Sequence, residues 1–214
     1  MSSFVLKLIA LIAMTFDHLG YAIYNSSSWM NYVGRIAFPI FAWQITIGFE
    51  KTRNVKMYIF KLFAAAMISQ PIYMLFLSRI TENIYSLNIL FTLCLGLICL
   101  YVWKKSNLLG ILAIFIACII ANYCQFDYGY YGIIMIVIFY IFRNNNVLMI
   151  LMQLVNLSIY YVNISNEIQL CSIIAFCFIL LYNGRRGKRI QYLFYGFYPL
   201  HLLAIYLIDK YFLV

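Results

Sequence analysis

Nine apolar runs, separated by short polar breaks, constrain this chain more than any other feature. They fall at about 4–24, 32–49, 57–77, 86–103, 108–123, 128–142, 147–162, 168–182 and 192–212. A helix of about 20 apolar residues crosses a bilayer core. Inside lipid, only helices or closed barrels satisfy their backbone groups. Several runs reach that length. The fifth, sixth and eighth are shorter and predict helices buried inside a bundle, or segments that dip in. Of the 214 residues, 66% are hydrophobic and 10% charged, and mean hydropathy is +0.92. A soluble domain carries roughly 25% charged residues, so the excess apolar surface must face lipid or other spanning helices. The expectation is an all-α, polytopic membrane helix bundle with about nine transmembrane helices, forming a single domain over residues 1–214. The first run is long and is interrupted by Asp17 and His18, so it reads as a span and not a cleavable signal.

The charges orient this bundle. Lys51, Arg53 and Lys56 lie in the second break, Lys104 and Lys105 in the fourth, Arg143 in the sixth, and Arg185, Arg186, Lys188 and Arg189 in the eighth. The odd-numbered breaks hold only Arg79. Basic residues favour the cytoplasmic side, so the even breaks and the N-terminus are expected inside and the C-terminus outside. This placement accounts for the net charge of +9 with the bilayer as partner and without nucleic acid. The six cysteines mostly lie in apolar runs, with no CxxC pair and no metal-like spacing. They read as small buried residues, and no metal is expected.

An ionisable group in a spanning helix costs roughly 2.5–3.5 kcal/mol on insertion scales and is a functional candidate by default. Asp17, His18, Arg35 and His201 all lie in apolar runs, and His18 and His201 are the chain's two histidines. A hydrogen-bonded structural histidine is the ordinary reading for one of them; having both in the membrane favours chemistry. Neighbours on a helix point about 100° apart, so Asp17 is poorly placed to orient His18. Asp17 is better placed to neutralise Arg35 across the first hairpin. Lys7 precedes His18 by eleven residues, which is close to three turns, on one face, with a rise of about 16 Å. A long ligand with an anionic head could rest that head at Lys7 and its reactive end at His18. Taken alone, Lys7 is a lysine snorkelling to the interface.

Pro39, Pro71 and Pro199 all fall within the runs. Pro199 is expected to free the carbonyl of Tyr195 and kink the helix beside His201. The eighth break reads Asn183-Gly184-Arg185-Arg186-Gly187-Lys188-Arg189. It can wrap a phosphate with side chains and backbone N–H groups, or serve as a topology anchor or a contact for anionic lipid. The chain has no GxSxG, HExxH, Walker A or GxGxxG pattern.

Several blocks carry a family resemblance. They are Phe16-Asp17-His18-Leu19-Gly20, Gly34-Arg35-Ile36-Ala37-Phe38-Pro39-Ile40-Phe41-Ala42 and Gly48-Phe49-Glu50-Lys51-Thr52-Arg53-Asn54. Further along come Ser69-Gln70-Pro71, Leu87-Asn88-Ile89-Leu90-Phe91-Thr92, Asp127-Tyr128-Gly129-Tyr130-Tyr131-Gly132, Leu181-Tyr182-Asn183-Gly184-Arg185-Arg186-Gly187 and Phe197-Tyr198-Pro199-Leu200-His201-Leu202. In that order, nearly end to end, the chain resembles the TraX family. The resemblance implies a multi-pass protein of the bacterial cytoplasmic membrane that transfers acetyl from acetyl-CoA, as the family's named member does to the N-terminus of conjugative pilin. It also implies kinship with membrane acyltransferases that modify sugars and surface polymers. That wider group places a basic residue ten positions before an early-helix histidine; here Lys7 and His18 fit, with lysine where arginine is more usual.

Together these readings set the expectations. Lys7, Arg53, Arg185, Arg186, Lys188 and Arg189 would hold the acetyl-CoA phosphates, with Lys56 as a further candidate. His18 would be general base or acetyl carrier. His201 would be a second base, an oxyanion partner or structural. Asp17 and Arg35 would stand near the acceptor's approach. The acceptor would be a peptide N-terminus, a glycan or a lipid, and the oligomeric state is open. The main rival is a small-molecule or lipid transporter or flippase that uses the same intramembrane polar groups. A non-catalytic assembly factor is a third reading.

Overall fold

The computed structural model describes residues 1–24, 28–188 and 191–212. Its helices are α1 (Ser3–Tyr24), α2 (Trp29–Gly34), α3 (Ala37–Lys51), α4 (Val55–Ile80), α5 (Ile89–Trp103), α6 (Asn107–Tyr123), α7 (Gly129–Ile141) and α8 (Asn146–Ile164). A 3₁₀ helix (Glu167–Ile173) then runs into α9 (Ile174–Leu180), and α10 (Gln191–Phe212) closes the chain. Among the described residues there is no strand, only an isolated bridge between Leu87 and Phe126.

Three of the described helices, α1, α4 and α8, are long and apolar enough to cross a membrane. The apolar helices α5, α6 and α7 are shorter, at 15, 17 and 13 residues. The outward faces are those of a protein in lipid. On α8, Val147, Leu151, Val155, Ile159 and Val162 form an exposed stripe at helical spacing, and on α6 Leu108, Leu112, Phe115 and Ile119 do the same. Such large apolar surfaces are not left to water.

Two expected spans are built differently. The run at 32–49 is not one helix: α2 ends at Gly34 and α3 starts at Ala37. Pro39 has no N–H to return to the carbonyl of Arg35, and its ring crowds that carbonyl. A break there avoids both penalties, and Pro39 sits in the first turn of α3, where its missing N–H costs nothing. Arg35 stands at the break. The run at 168–182 opens as a seven-residue 3₁₀ helix before the equally short α9. Ser165, left-handed at φ 54°, stops α8 just before it.

The chain forms two compact units. The first comprises Met1–Phe41, Ile68–Tyr85 and Asn166–Val214, the second Ala42–Met67 and Ser86–Ser165. In the first, α1 packs on α2 and α10, and the 3₁₀ helix packs on α2. Arg79, at the end of α4, pairs with Asp209 of α10 at 2.5 Å.

In the second unit α7 is the central helix, with Tyr131, Ile133, Met135, Ile136 and Phe139 fully buried. It is therefore apolar all round. Gln153 and Asn156 of α8 donate to the Met135 and Tyr131 carbonyls at 3.0 and 3.2 Å, the polar glue that membrane helices use. Asn88 caps α5 by accepting from Leu90 N and donates to the Ala66 carbonyl at 2.9 Å. Glu50 and Arg143 form an ion pair at 2.5 Å.

Candidate active site

The first unit brings His18 of α1 and His201 of α10 together, 183 residues apart in sequence. Their Nδ1 and Nε2 atoms are 2.8 Å apart. His201 Nδ1 reaches the Phe197 carbonyl one turn earlier in α10, also at 2.8 Å. Aromatic rings enclose the pair. Phe76 meets His18 edge-on, Phe197 stacks on His201 at 11°, and Tyr198 leans against it. His201 is buried and His18 partly so.

The proton positions of this uncharged pair follow by elimination. A carbonyl only accepts, so His201 Nδ1 carries a hydrogen and its Nε2 is bare. Bare Nε2 can only accept, so His18 donates from Nδ1. His18 Nε2 is then the atom with a free lone pair. The two histidines are thus not alternatives for one role, because each occupies a defined place in a single chain of hydrogen bonds.

Asp17 does not join that chain. Its Oδ1 accepts from Arg35 at 2.6 Å and from Asn31 Nδ2 at 3.2 Å. Asn31 also donates to the Asp17 carbonyl at 2.9 Å, and Arg35 donates to the Tyr21 hydroxyl at 3.2 Å. The expected Asp17–Arg35 pairing is present, and it is nearly enclosed. Asn31 and Tyr21 complete it and were not singled out from the sequence. Tyr21 lies one turn beyond Asp17 on the same helix face, which was the available signal.

At the other end of α1, the loop at 181–188 docks on the start of the chain. Ser3 N and Phe4 N donate to the carbonyls of Arg185 and Arg186 at 2.9 and 3.1 Å, and Asn183 N donates to Met1 O at 2.9 Å. The Met1 ammonium donates to Leu181 O. The loop thereby satisfies N–H groups that the first turn of a helix leaves open. Gly187 permits this. Its φ is +73°, and a Cβ there would meet the Phe4 Cβ at 2.7 Å. Arg185, Arg186 and Lys188 stay exposed. Lys7 lies with its ammonium over the Phe194 ring at 5.1 Å. Arg189 lies outside the described residues. Arg53 is exposed between α3 and α4 and belongs to the second unit, as does Lys56, also exposed, in the first turn of α4. The first unit thus gathers Lys7, Arg185, Arg186 and Lys188 near the start of α1, and the histidine pair about 16 Å beyond Lys7. Among the described residues no group of His, Cys, Asp and Glu could hold a metal ion.

This is a helical membrane protein with a hydrogen-bonded histidine pair and a cationic cluster along one helix. The chain belongs to the TraX family, whose model, described as TraX protein, matches residues 2–209. It is similar to a probable fimbrial assembly protein FimC, serogroup H1, of Dichelobacter nodosus, with 31% identity over 232 residues that cover 95% of this chain and 94% of the relative. No solved structure matches it.

Proposed function

We propose that this protein is an acetyltransferase of the bacterial cytoplasmic membrane that passes an acetyl group from cytoplasmic acetyl-CoA to an amine or hydroxyl at or beyond the membrane. Residues 1–214 would form one membrane domain of nine spanning segments, with the N-terminus inside and the C-terminus outside. The observation that carries the reading is the His18–His201–Phe197 hydrogen-bond chain, which leaves His18 Nε2 with a free lone pair. The exposed cations at the start of α1 suit the phosphates of CoA, each contact being charge-assisted.

Acetyl-CoA supplies the acetyl group as a thioester. Lys7, Arg185, Arg186 and Lys188, with Arg189, would bind the phosphates. His18 Nε2 would remove the proton from the acceptor as its nitrogen or oxygen bonds to the acetyl carbon. The C–S bond then breaks, and His18 returns the proton to the departing thiolate. While His18 is cationic, its Nδ1–H strengthens the bond to His201 Nε2, and His201 Nδ1–H is held by Phe197 O. Transfer through an acetyl group on His18 Nε2 would use the same atoms. The Asp17–Arg35 network would shape the acceptor's approach without taking a proton. The fimbrial assembly name of the D. nodosus relative supports a pilin-like polypeptide as acceptor.

Purified protein given acetyl-CoA labelled in the acetyl group, with a short peptide amine, should release CoA and label the peptide. An absence of both, from folded protein that binds CoA, would leave the assembly-factor reading in its place.

A further inference from the structure

A cavity of about 290 Å³ opens in the second unit, between the end of α6, the start of α7 and the end of α8. Asn122, Gln125, Phe126, Tyr128, Tyr130 and Tyr160 line it, and among the described residues no charged side chain does. It shares no residue with the histidine pair. Asn122 and Gln125 are exposed, and Tyr128, Tyr130 and Tyr160 are half-buried, so a ligand can enter from outside the fold.

The donors of this cavity are set in place. Tyr130 N donates to Asn122 Oδ1 at 3.1 Å. A backbone N–H cannot accept, so Oδ1 must face it, and Nδ2 is the donor that Asn122 keeps for another group. Gly129 permits this approach. Its φ is +45°, and a Cβ there would meet Asn122 Oδ1 at 2.7 Å. Asn163 Nδ2 donates to the Tyr130 hydroxyl at 3.3 Å and to Ile159 O at 2.8 Å. The hydroxyl accepts that bond and retains its own hydrogen to give. The Tyr160 ring stands 4.5 Å from fully buried Tyr131 and 6.3 Å from Tyr130, so this aromatic wall is fixed from behind. Two of the three described non-glycine residues with positive φ, Gln125 at 51° and Tyr128 at 62°, also line the cavity. Such backbone persists where its surroundings hold it, often at ligand sites.

These features select the ligand. A lining without charge offers no counter-ion to a phosphate or carboxylate. Carboxamides and hydroxyls beside an acyl chain would go unpaired. The volume is at the lower limit for small-molecule sites, room for a single ring. A pyranose meets all three conditions: its C–H face lies on a tyrosine ring, and its hydroxyl oxygens accept from Asn122 Nδ2 and Tyr130 O–H. We infer that this cavity binds one neutral sugar unit of a glycan, as a site separate from the acetyl-transfer chemistry. The segment between α6 and α7 carries no Lys or Arg. In the orientation proposed above, that puts the cavity on the outer side, within reach of surface glycans; only this placement rests on the earlier reading.

The test is saturation-transfer NMR on full-length protein, in a detergent without a sugar head group, with methyl β-glucoside and N-acetylglucosamine as probes. Wild type should saturate the ring protons of at least one of them, with no acetyl-CoA present. Asn122→Asp keeps the oxygen that Tyr130 N needs and removes the donor; Tyr130→Phe keeps the ring and removes the hydroxyl. The double variant should bind the sugar about tenfold more weakly or worse, and Tyr130→Phe alone about threefold more weakly. The single variant decides the matter if the double one proves less stable in thermal unfolding. His18→Ala should bind the sugar as wild type does, so a failed acetyl-transfer assay leaves this result standing. Absence of saturation by both sugars in wild type overturns the inference. Undiminished binding by the variants also overturns it, because the sugar then sits elsewhere. Displacement by tetramethylammonium does the same, making the tyrosines a cage for a cation, and loss of sugar binding in folded His18→Ala would return the ligand to the histidine site.

Discussion

His201→Ala should slow acetyl transfer less than His18→Ala, and His201→Gln should restore part of the loss. In the wild type, His201 Nε2 accepts from His18 Nδ1 at 2.8 Å and so holds the bare lone pair at His18 Nε2. Without that acceptor, a buried Nδ1–H is unpaired, at a cost of about 1–3 kcal/mol. At about 1.4 kcal/mol per factor of ten, the competent tautomer loses roughly 5- to 150-fold in population, and kcat falls by the same factor. Loss of the base itself costs about 10²–10⁴-fold. Glutamine offers a carbonyl oxygen for His18 Nδ1–H and an N–H for Phe197 O, but it cannot take a proton or carry an acetyl group. The assay is single-turnover release of CoA from saturated enzyme, with Tm measured in parallel. If His201→Gln is as inactive as His18→Ala, His201 is itself the base and the tautomer argument fails.

Changing Arg185, Arg186, Lys188 and Arg189 together to Gln should weaken CoA binding, each lost charge-assisted contact contributing about 1.5–3 kcal/mol. Unchanged affinity by calorimetry would make the loop a topology anchor only. A cysteine at Lys188, in a background otherwise free of cysteine, should resist an impermeant thiol reagent in intact cells; labelling there would reverse the orientation. Lys188 is the better position than Gly187, whose added Cβ would meet Phe4. Asp17→Asn or Arg35→Met should each destabilise the fold by about 3–5 kcal/mol, because a buried charge is left unpaired. The double variant should recover much of that by thermal unfolding, whereas simple additivity would show the pair to be uncoupled.

Most of the apolar runs were legible as helices because a long apolar run in lipid must satisfy its backbone groups internally, whatever packs on it. Their interiors were less so. Pro39 was legible only as a proline inside the second run, and the break at Arg35 was not, because Pro71 and Pro199 sit inside unbroken helices. The eighth run stood out only by being short, which did not reveal that it opens as a 3₁₀ helix. The Asp17–Arg35 pair followed from helix geometry and a short hairpin, both local. His18 and His201 are 183 residues apart, and nothing local ties α1 to α10, so their contact needed the fold. The same holds for the docking of the loop at 181–188 on Met1–Phe4, where Gly187 signalled a turn but not its partner.

The most direct test of the central claim is acetyl transfer by His18→Ala measured beside its affinity for CoA. His18 would touch the thioester and the acceptor, about 16 Å beyond Lys7 along α1 and further still from the loop cations that dock at Ser3 and Phe4. The account predicts a loss of transfer of at least 10²-fold with CoA affinity within twofold of wild type. Wild-type turnover by a folded His18→Ala protein would contradict it.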